Sequence, residues 1–160
     1  MSIDTLHDDN TSDIDVIEFI TTHIDDQLFG LPISNVQDVF MPEKLTRVPL
    51  ASQEIAGVLN LRGRIVTAIN LRARLGLPKR SDGKPPMAAG VEYRGESYGL
   101  LIDTVGEVLR LSGKDMEKNP VNLDPRLARM SAGVYRLDGQ LMVVLDVDRV
   151  LEMTHDSMAA

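Results

Sequence analysis

Short segments in which apolar and polar residues alternate dominate this chain. VIEFITTHI follows Asp15, and QLFGLPI follows the polar pair at residues 25–26, which predicts a first hairpin. GVLNL and RIVTAINL flank Arg62-Gly63 and predict a second hairpin. Residues 33–40 fit either a short helix or an irregular strand, and SQEIA from residue 52 fits a helical turn. Five more strands are expected near Ala88–Tyr93, Glu96–Ile102, Glu107–Leu111, Gly133–Leu137 and Gln140–Leu145.

The same plan occurs twice along the chain. FGLPISNVQDV at residues 29–39 recurs as YGLLIDTVGEV at 98–108, and AGVLNLRGRIVTAINLRARL at 56–75 recurs as AGVYRLDGQLMVVLDVDRVL at 132–151. Each copy ends with a strand and then a helix N-cap residue, Asn70 or Asp146. Many short strands with Gly turns predict small barrels, and the duplication predicts two of them packed together. We therefore expect a mostly β fold with short helices, built by internal duplication.

Composition divides the chain further. Residues 1–14 are polar and acidic, which predicts a disordered leader. PKRSDGKPP at residues 78–86 has the composition of a linker. The expected first barrel covers about 15–77 and the second about 87–151, followed by a tail at 152–160.

Charge is segregated along the chain. Residues 1–42 hold nine acids and no Lys or Arg, whereas residues 43–84 hold nine Lys or Arg against three acids. A basic patch could favour nucleic acid, but no aromatic residue between Phe40 and Tyr93 is available to stack on bases. We expect no nucleic-acid partner, and a nucleic-acid-binding barrel remains the minor alternative.

Other function classes lack their residues. The start has no signal peptide, no apolar run is long enough to span a bilayer, and the chain has no Cys, so a cytoplasmic protein without membrane insertion is expected. Three scattered His give no metal site. There is no GxSxG elbow, phosphate loop or HExxH helix. We therefore expect no catalytic site, no metal and no cofactor.

Several motifs together resemble the CheW family of bacterial chemotaxis. VQDV, LTRVP and IAGVLNLRGRIV in the first half are matched by LLIDTVGEVLRL and AGVYRLDGQLMVVLD in the second, over roughly residues 16–151. The resemblance implies two five-stranded β-barrels joined through a shared apolar interface. It also implies a non-catalytic adaptor that couples the cytoplasmic tips of chemoreceptors to the histidine kinase CheA, at membrane-associated receptor arrays. A CheW-like module of a CheV or CheA type protein is the alternative.

The resemblance also implies surfaces. The receptor tip, a helical hairpin, is expected in the groove between the lobes. The regulatory domain of CheA is expected on one lobe, and that of a second kinase on the other. Val36, Asp38, Gly57 and Arg62 match the family pattern at positions that we link to receptor or kinase contact, without assigning a partner to each.

Each of these residues also has a purely structural interpretation. Val36 fits a core position, Asp38 a solvated acid, and Gly57 a place where the backbone needs freedom. Arg62-Gly63 aligns with Asp138-Gly139, and Asp suits a left-handed turn better than Arg does. If both turns share one geometry, Arg62 is a poor turn residue whose guanidinium suits a partner's carboxylates.

Three departures from the family pattern are visible. Thr67 stands where the family usually has Pro, and this change restores a backbone donor on a strand. Asn70 stands where the family usually has Asp, and Asn also caps helices. Neither change is expected to disturb the fold. Residues 121–123 lack an aromatic that some members place there. This departure bears on the second kinase contact.

Overall fold

The computed structural model describes residues 15–49 and 51–152. The expected leader at residues 1–14 and the tail beyond residue 152 lie outside the described residues. Two short helices, α1 (Leu71–Arg74) and α2 (Pro125–Met130), two 3-10 turns (Ile33–Asn35 and Gly113–Asp115) and a helical segment at residues 147–152 accompany the strands. No helix in the described part is long and apolar enough to cross a membrane. The ten strands are β1 (Val16–Ile24), β2 (Gln27–Pro32), β3 (Val36–Phe40), β4 (Ile55–Leu61), β5 (Arg64–Asn70), β6 (Met87–Tyr93), β7 (Glu96–Ile102), β8 (Val108–Ser112), β9 (Ser131–Leu137) and β10 (Gln140–Leu145).

The expected fold class is confirmed, with local exceptions. Residues 33–40 form a 3-10 turn followed by β3. The helical turn expected over residues 52–56 is shortened to one hydrogen-bonded turn, in which the Ile55 amide donates to the Ser52 carbonyl at 3.1 Å, and β4 begins at Ile55. Helix α2 was not expected; Asp124 caps it by accepting from the Arg126 amide at 2.8 Å, and Pro125 occupies its first turn.

The expected N-caps are both present. The Asn70 side chain accepts a hydrogen bond from the Ala73 amide at 3.3 Å, and the Asp146 side chain accepts one from the Arg149 amide at 3.3 Å. Each cap begins a helix directly after a strand, as the repeat predicted. The substitution of Asn for the family's usual Asp therefore preserves the local structure.

The strands form two five-stranded sheets that draw on both halves of the chain. Sheet A has the order β8-β1-β2-β10-β9, and sheet B has the order β3-β6-β7-β5-β4. Parallel pairs join the halves, with Met142 beside Leu28 in sheet A and Thr67 beside Tyr98 in sheet B. Sheet A contains the first two strands of the first half, β1 and β2, and the last three strands of the second half, β8, β9 and β10. Sheet B contains the remaining strands, which are β3, β4 and β5 of the first half and β6 and β7 of the second. The strand pairing therefore departs from the expected division into sequential barrels at 15–77 and 87–151.

Three apolar clusters hold the sheets together. The largest lies between the sheets and includes Phe29, Leu31, Ile69, Leu100 and Val143. Smaller clusters fill the two barrels, around Phe19 and Met142 in sheet A and around Leu59 and Val66 in sheet B. Successive residues of the central strands therefore alternate between a barrel interior and the interface, so both faces of these strands are buried.

Each barrel is closed by one β-bridge beside a glycine. Thr46 and Val58 exchange two backbone hydrogen bonds of 2.8 Å, and Glu117 and Val134 form the matching bridge. Gly57 precedes Val58 with φ 152°, and a Cβ on Gly57 would collide with the carbonyl of Thr46. Gly133 has φ 154° and the same kind of contact. Glycine is required here because the bridging backbone passes so closely.

We expect Gly57→Ala to lower the free energy of unfolding by about 2 to 4 kcal/mol, since it combines backbone strain with displacement of the Thr46 bridge. Gly63→Ala is the matched control: Gly63 also has positive φ, at 80°, but nothing lies within 4 Å of its Cβ position. It should cost only about 1 kcal/mol. Denaturant unfolding of both variants measures the difference in stability. Equal losses would show that contact of the new Cβ with Thr46 does not add to the cost.

Arg72 ties the two sheets together. Its guanidinium donates to both carboxylate oxygens of Asp103, at 3.0 and 2.6 Å, and to the Pro78 carbonyl at 2.6 Å. It also lies 3.0 Å from the carboxylate of Asp25, in the β1–β2 turn of sheet A. The Arg72 side chain is only 11% exposed, so removing it would leave the Asp103 carboxylate without its bidentate donor in a largely buried place.

We expect Arg72→Ala to cost about 2 to 3 kcal/mol of stability, because it removes the bidentate hydrogen bonds to Asp103 and also the ion pair with Asp25 that reaches sheet A. Arg136→Ala is the control: its ion pair with Glu117 is 3.0 Å long, but its side chain is 66% exposed. That change should cost less than about 1 kcal/mol. Thermal and urea unfolding of the two variants compare them directly, and a small loss for Arg72→Ala would contradict a role in joining the sheets.

Candidate functional site

A cleft of about 250 Å³ opens at one end of sheet B. The parallel pairing of β5 with β7 places the β4–β5 and β6–β7 hairpin turns at this same end. Of the four residues predicted to bind partners, Asp38 and Arg62 line this cleft. Its walls are formed by Gln37, Asp38, Leu61, Arg62, Arg64, Val66, Gly90, Ser97 and Tyr98.

Asp38 is positioned by an irregularity in β3. The register with β6 shifts between Val36, opposite Val91, and Asp38, opposite Gly90. The Asp38 carboxylate lies over Gly90, where any Cβ would collide with it. The side chain is 30% exposed, so its carboxylate faces the cleft without being removed from water.

Arg62 occupies a strained turn position. Its φ is 53° and that of Gly63 is 80°, the signs required by a type I′ hairpin. The Asn60 side chain accepts from the Gly63 amide at 2.9 Å and supports the turn. The Arg62 side chain is 81% exposed, with its Nη1 4.0 Å from Oδ2 of Asp38. Such an exposed pair contributes little to stability, so the guanidinium is free to exchange partners.

Arg62 and Asp138 do not share one turn geometry, so the alternative left open by the sequence is the one observed. Asp138 does not have positive φ, although Gly139 does, at 78°. Arg62 therefore adopts a left-handed backbone conformation that is costly for Arg. Asp138 does not adopt it, although Asp tolerates this conformation better. The hairpin turn expected at Arg94-Gly95 is present, and Arg94 shares the left-handed conformation of Arg62, with φ 51°.

Val36 and Gly57 lie outside the cleft. Val36 is half-buried and packs against the cluster between the sheets. Gly57 is buried beneath Thr46, five residues before Arg62 along β4. The structural interpretations of both residues are therefore supported, and any effect of Gly57 on a partner acts through the segment that it supports.

The rest of the cleft is held by hydrogen bonds. Arg64 donates to the Ser97 hydroxyl at 2.7 Å, and the Tyr98 hydroxyl donates to Glu96 at 3.1 Å. Burial, together with that hydrogen bond, raises the pKa of Tyr98 to about 12, so the hydroxyl stays protonated at neutral pH. Among the described residues, no group of three or more His, Cys, Asp or Glu is placed to hold a metal ion.

Two exposed apolar residues were not identified from the sequence. Ile65 follows Arg64 on β5 and is 75% exposed, and Val121 is fully exposed ahead of α2. Ile65 and the buried Ile69 are four residues apart on β5, so alternation predicts that they face the same side of the sheet. Only the position of Ile65 at the end of the strand explains its exposure. Single exposed apolar side chains are common on protein surfaces, so Ile65 is of interest here because it lies on the same hairpin as Arg62.

Comparisons with known proteins agree with this geometry. The family model for the CheW-like domain matches residues 18–155. Chemotaxis protein CheW of Thermotoga maritima is 29% identical over 135 residues, which is 84% of this chain and 87% of that protein. Chemotaxis protein CheV3 of Helicobacter pylori is 22% identical, and the match covers 95% of this chain but only 51% of CheV3.

A solved structure shows the same architecture. The scaffolding protein TtCheW of Thermoanaerobacter tengcongensis superposes with a TM-score of 0.79 at 26% identity, over 89% of this chain and 92% of that one. Sequence and fold therefore confirm the resemblance over nearly the whole described chain. The chain belongs to the CheW-like domain family of chemotaxis coupling proteins.

Proposed function

We propose that this protein is a non-catalytic cytoplasmic adaptor that couples the cytoplasmic tips of chemoreceptors to the regulatory domain of the histidine kinase CheA, at membrane-associated arrays. The observation that carries the proposal is the β4–β5 hairpin at the end of sheet B, which exposes the guanidinium of Arg62 at its turn and the side chain of Ile65 at the start of β5. A partly hydrophobic surface with a charged rim is the usual form of a protein-binding site.

The strained turn supports a binding role for Arg62. A left-handed Arg is retained where Asn or Asp would fit with less strain. Its contact with Asp38 is long and exposed, so a partner's carboxylate can replace it with little loss. Asp38 then holds the side chain near its binding position between encounters.

The remaining predicted residues have supporting roles in this proposal. Val36 anchors the start of β3, which carries Asp38, on the interface between the sheets. Gly57 lets the Thr46 segment close the barrel that carries the β4–β5 hairpin. The receptor is proposed to occupy the groove between the barrels, and the kinase domain to bind the end of one barrel.

We expect Arg62→Glu to leave the fold intact, since an exposed turn charge changes stability by less than about 0.5 kcal/mol. It should weaken coupling, because reversing one member of an interfacial charge pair commonly costs about 2 to 5 kcal/mol. Kinase activation in a reconstituted complex of receptor fragment, CheA and this protein measures coupling, and a thermal melt checks folding.

Arg94→Glu is the matched control, since Arg94 has the same turn conformation at the same end of sheet B. Its guanidinium lies 5.3 Å from the Tyr93 ring and does not line the cleft. Activation should remain near the wild-type level. Normal activation by folded Arg62→Glu protein would exclude the cleft from either interface.

We also expect Ile65→Asp to weaken binding to the same partner that Arg62→Glu affects, because both residues belong to one hairpin. Val105→Asp, a change at another exposed apolar residue in the loop after β7, at the opposite end of sheet B from the cleft, should leave that partner's affinity unchanged. Titration of each variant with receptor fragment and with the CheA regulatory domain, separately, identifies the partner. Loss of different partners by Ile65→Asp and Arg62→Glu would contradict a single contact surface.

A further inference from the structure

A second, larger groove lies between the loop at residues 45–56 and the segment that follows α1. Its volume is about 1110 Å³, larger than the pockets that hold small molecules. Leu45, Val48 and Leu77 supply apolar surface to it. Its size and its mixed lining suit a segment of polypeptide.

The rim of this groove carries unneutralised positive charge. The side chains of Arg47, Lys79 and Lys84 line it and form no hydrogen bond or ion pair with any residue in the described ranges. Arg72 and Arg80, by contrast, are held by Asp103 and Asp82. Three exposed cations around an apolar trough favour an occupant that is both acidic and apolar.

Comparison of the two halves shows what the first half lacks. Aligning the two halves with an offset of 76 residues pairs Glu54 with Met130. The structure confirms this equivalence, because both residues make the same hydrogen bond. The Asn70 amide donates to the Glu54 carbonyl at 2.7 Å, and the Asp146 amide donates to the Met130 carbonyl at 2.8 Å. The same offset places Ala51 on Leu127. In α2, Leu127 and Met130 are buried, at 7% and 6% exposure.

Among its described residues, the first half therefore has no counterpart of the apolar pair supplied by α2. Ala51 and Glu54 line the groove and remain partly exposed. The chain between the bridging residue and the glycine of the following strand is also shorter in the first half. It runs from Thr46 to Gly57 there and from Glu117 to Gly133 in the second half. This shorter connection has no helix, and the groove lies open beside it.

We propose that residues 1–14 of this chain bind in this groove. They contain four Asp and no Lys or Arg, and Ile3 and Leu6 have the same three-residue separation as Leu127 and Met130. Asp4, between these two apolar residues, pairs with the cations at the rim of the groove, and the apolar pair covers the trough.

The segment is long enough to reach the groove. Asp15 accepts a hydrogen bond from Ser112 at 2.5 Å at one end of β1, and Asp25 contacts the groove residue Arg72 just beyond the other end. The nine residues of β1 span about 30 Å. An extended chain from Asp15 back to Ile3 covers roughly 40 Å. The leader can therefore run back along β1 within one molecule.

Disulfide trapping in the full chain tests this proposal, because the protein has no Cys of its own. Thr5→Cys is combined with Gln53→Cys, which lines the groove, and, as a control, with Asp138→Cys at the exposed tip of the β9–β10 hairpin. Under mild oxidation we expect an intramolecular cross-link to Gln53→Cys, at a rate independent of protein concentration and slowed by 0.5 M salt through screening.

Charge variants in the cross-linking background provide a second measurement. Arg47→Gln with Lys84→Gln should slow the cross-link roughly fivefold, as expected for the loss of two exposed charge contacts. Arg110→Gln with Lys118→Gln removes the same two residue types elsewhere and should leave the rate unchanged. Circular dichroism checks that each variant folds.

Three results would overturn the proposal. Cross-linked dimers alone would assign the groove to a second copy of the chain. A rate to Gln53→Cys no faster than to Asp138→Cys would show that the leader does not bind the groove. Equal slowing by both charge pairs would show that only net charge matters.

Discussion

The apolar layer between the two sheets is the constraint on which the rest of the structure depends. Strands β2, β5, β7 and β10 bury both faces, one against this layer and one inside a barrel. Each hairpin at the cleft end of sheet B therefore contains one strand that is fixed on two sides, β5 or β7. The Arg62 turn is held at a defined place because β5, which follows it, cannot shift register without exposing one of these surfaces.

Much of the fold was predictable because its signals are local. Alternation, Arg-Gly and Asp-Gly turns and the caps at Asn70 and Asp146 each depend on a few neighbouring residues. The exchange of strands between halves has no such signal. Sequential and exchanged barrels place equivalent residues, such as Val66 and Met142, in equivalent environments, so the same alternation fits both arrangements.

Two residues of the candidate site were predictable from the sequence, but their arrangement around one cleft was not. The resemblance identified Asp38 and Arg62, whereas their proximity depends on the irregular register of β3 against Gly90. Whether Arg62 and Asp138 share a turn geometry could not be decided from the sequence, because a two-residue loop can adopt several turn types that sequence alignment does not distinguish. Helix α2 was missed because its apolar period covers barely one turn.

The exchange of strands also has a consequence for how the chain arose and diversified. One repeat alone lacks a complete barrel, but two copies related by a two-fold axis would complete both, as in a domain-swapped dimer. The connection through residues 78–86 turns that association into an intramolecular event with a high effective concentration. Fusion also releases the two copies from symmetry. A symmetric dimer must present the same residue at both hairpin tips, whereas this chain presents Arg62 at one and Asp138 at the other.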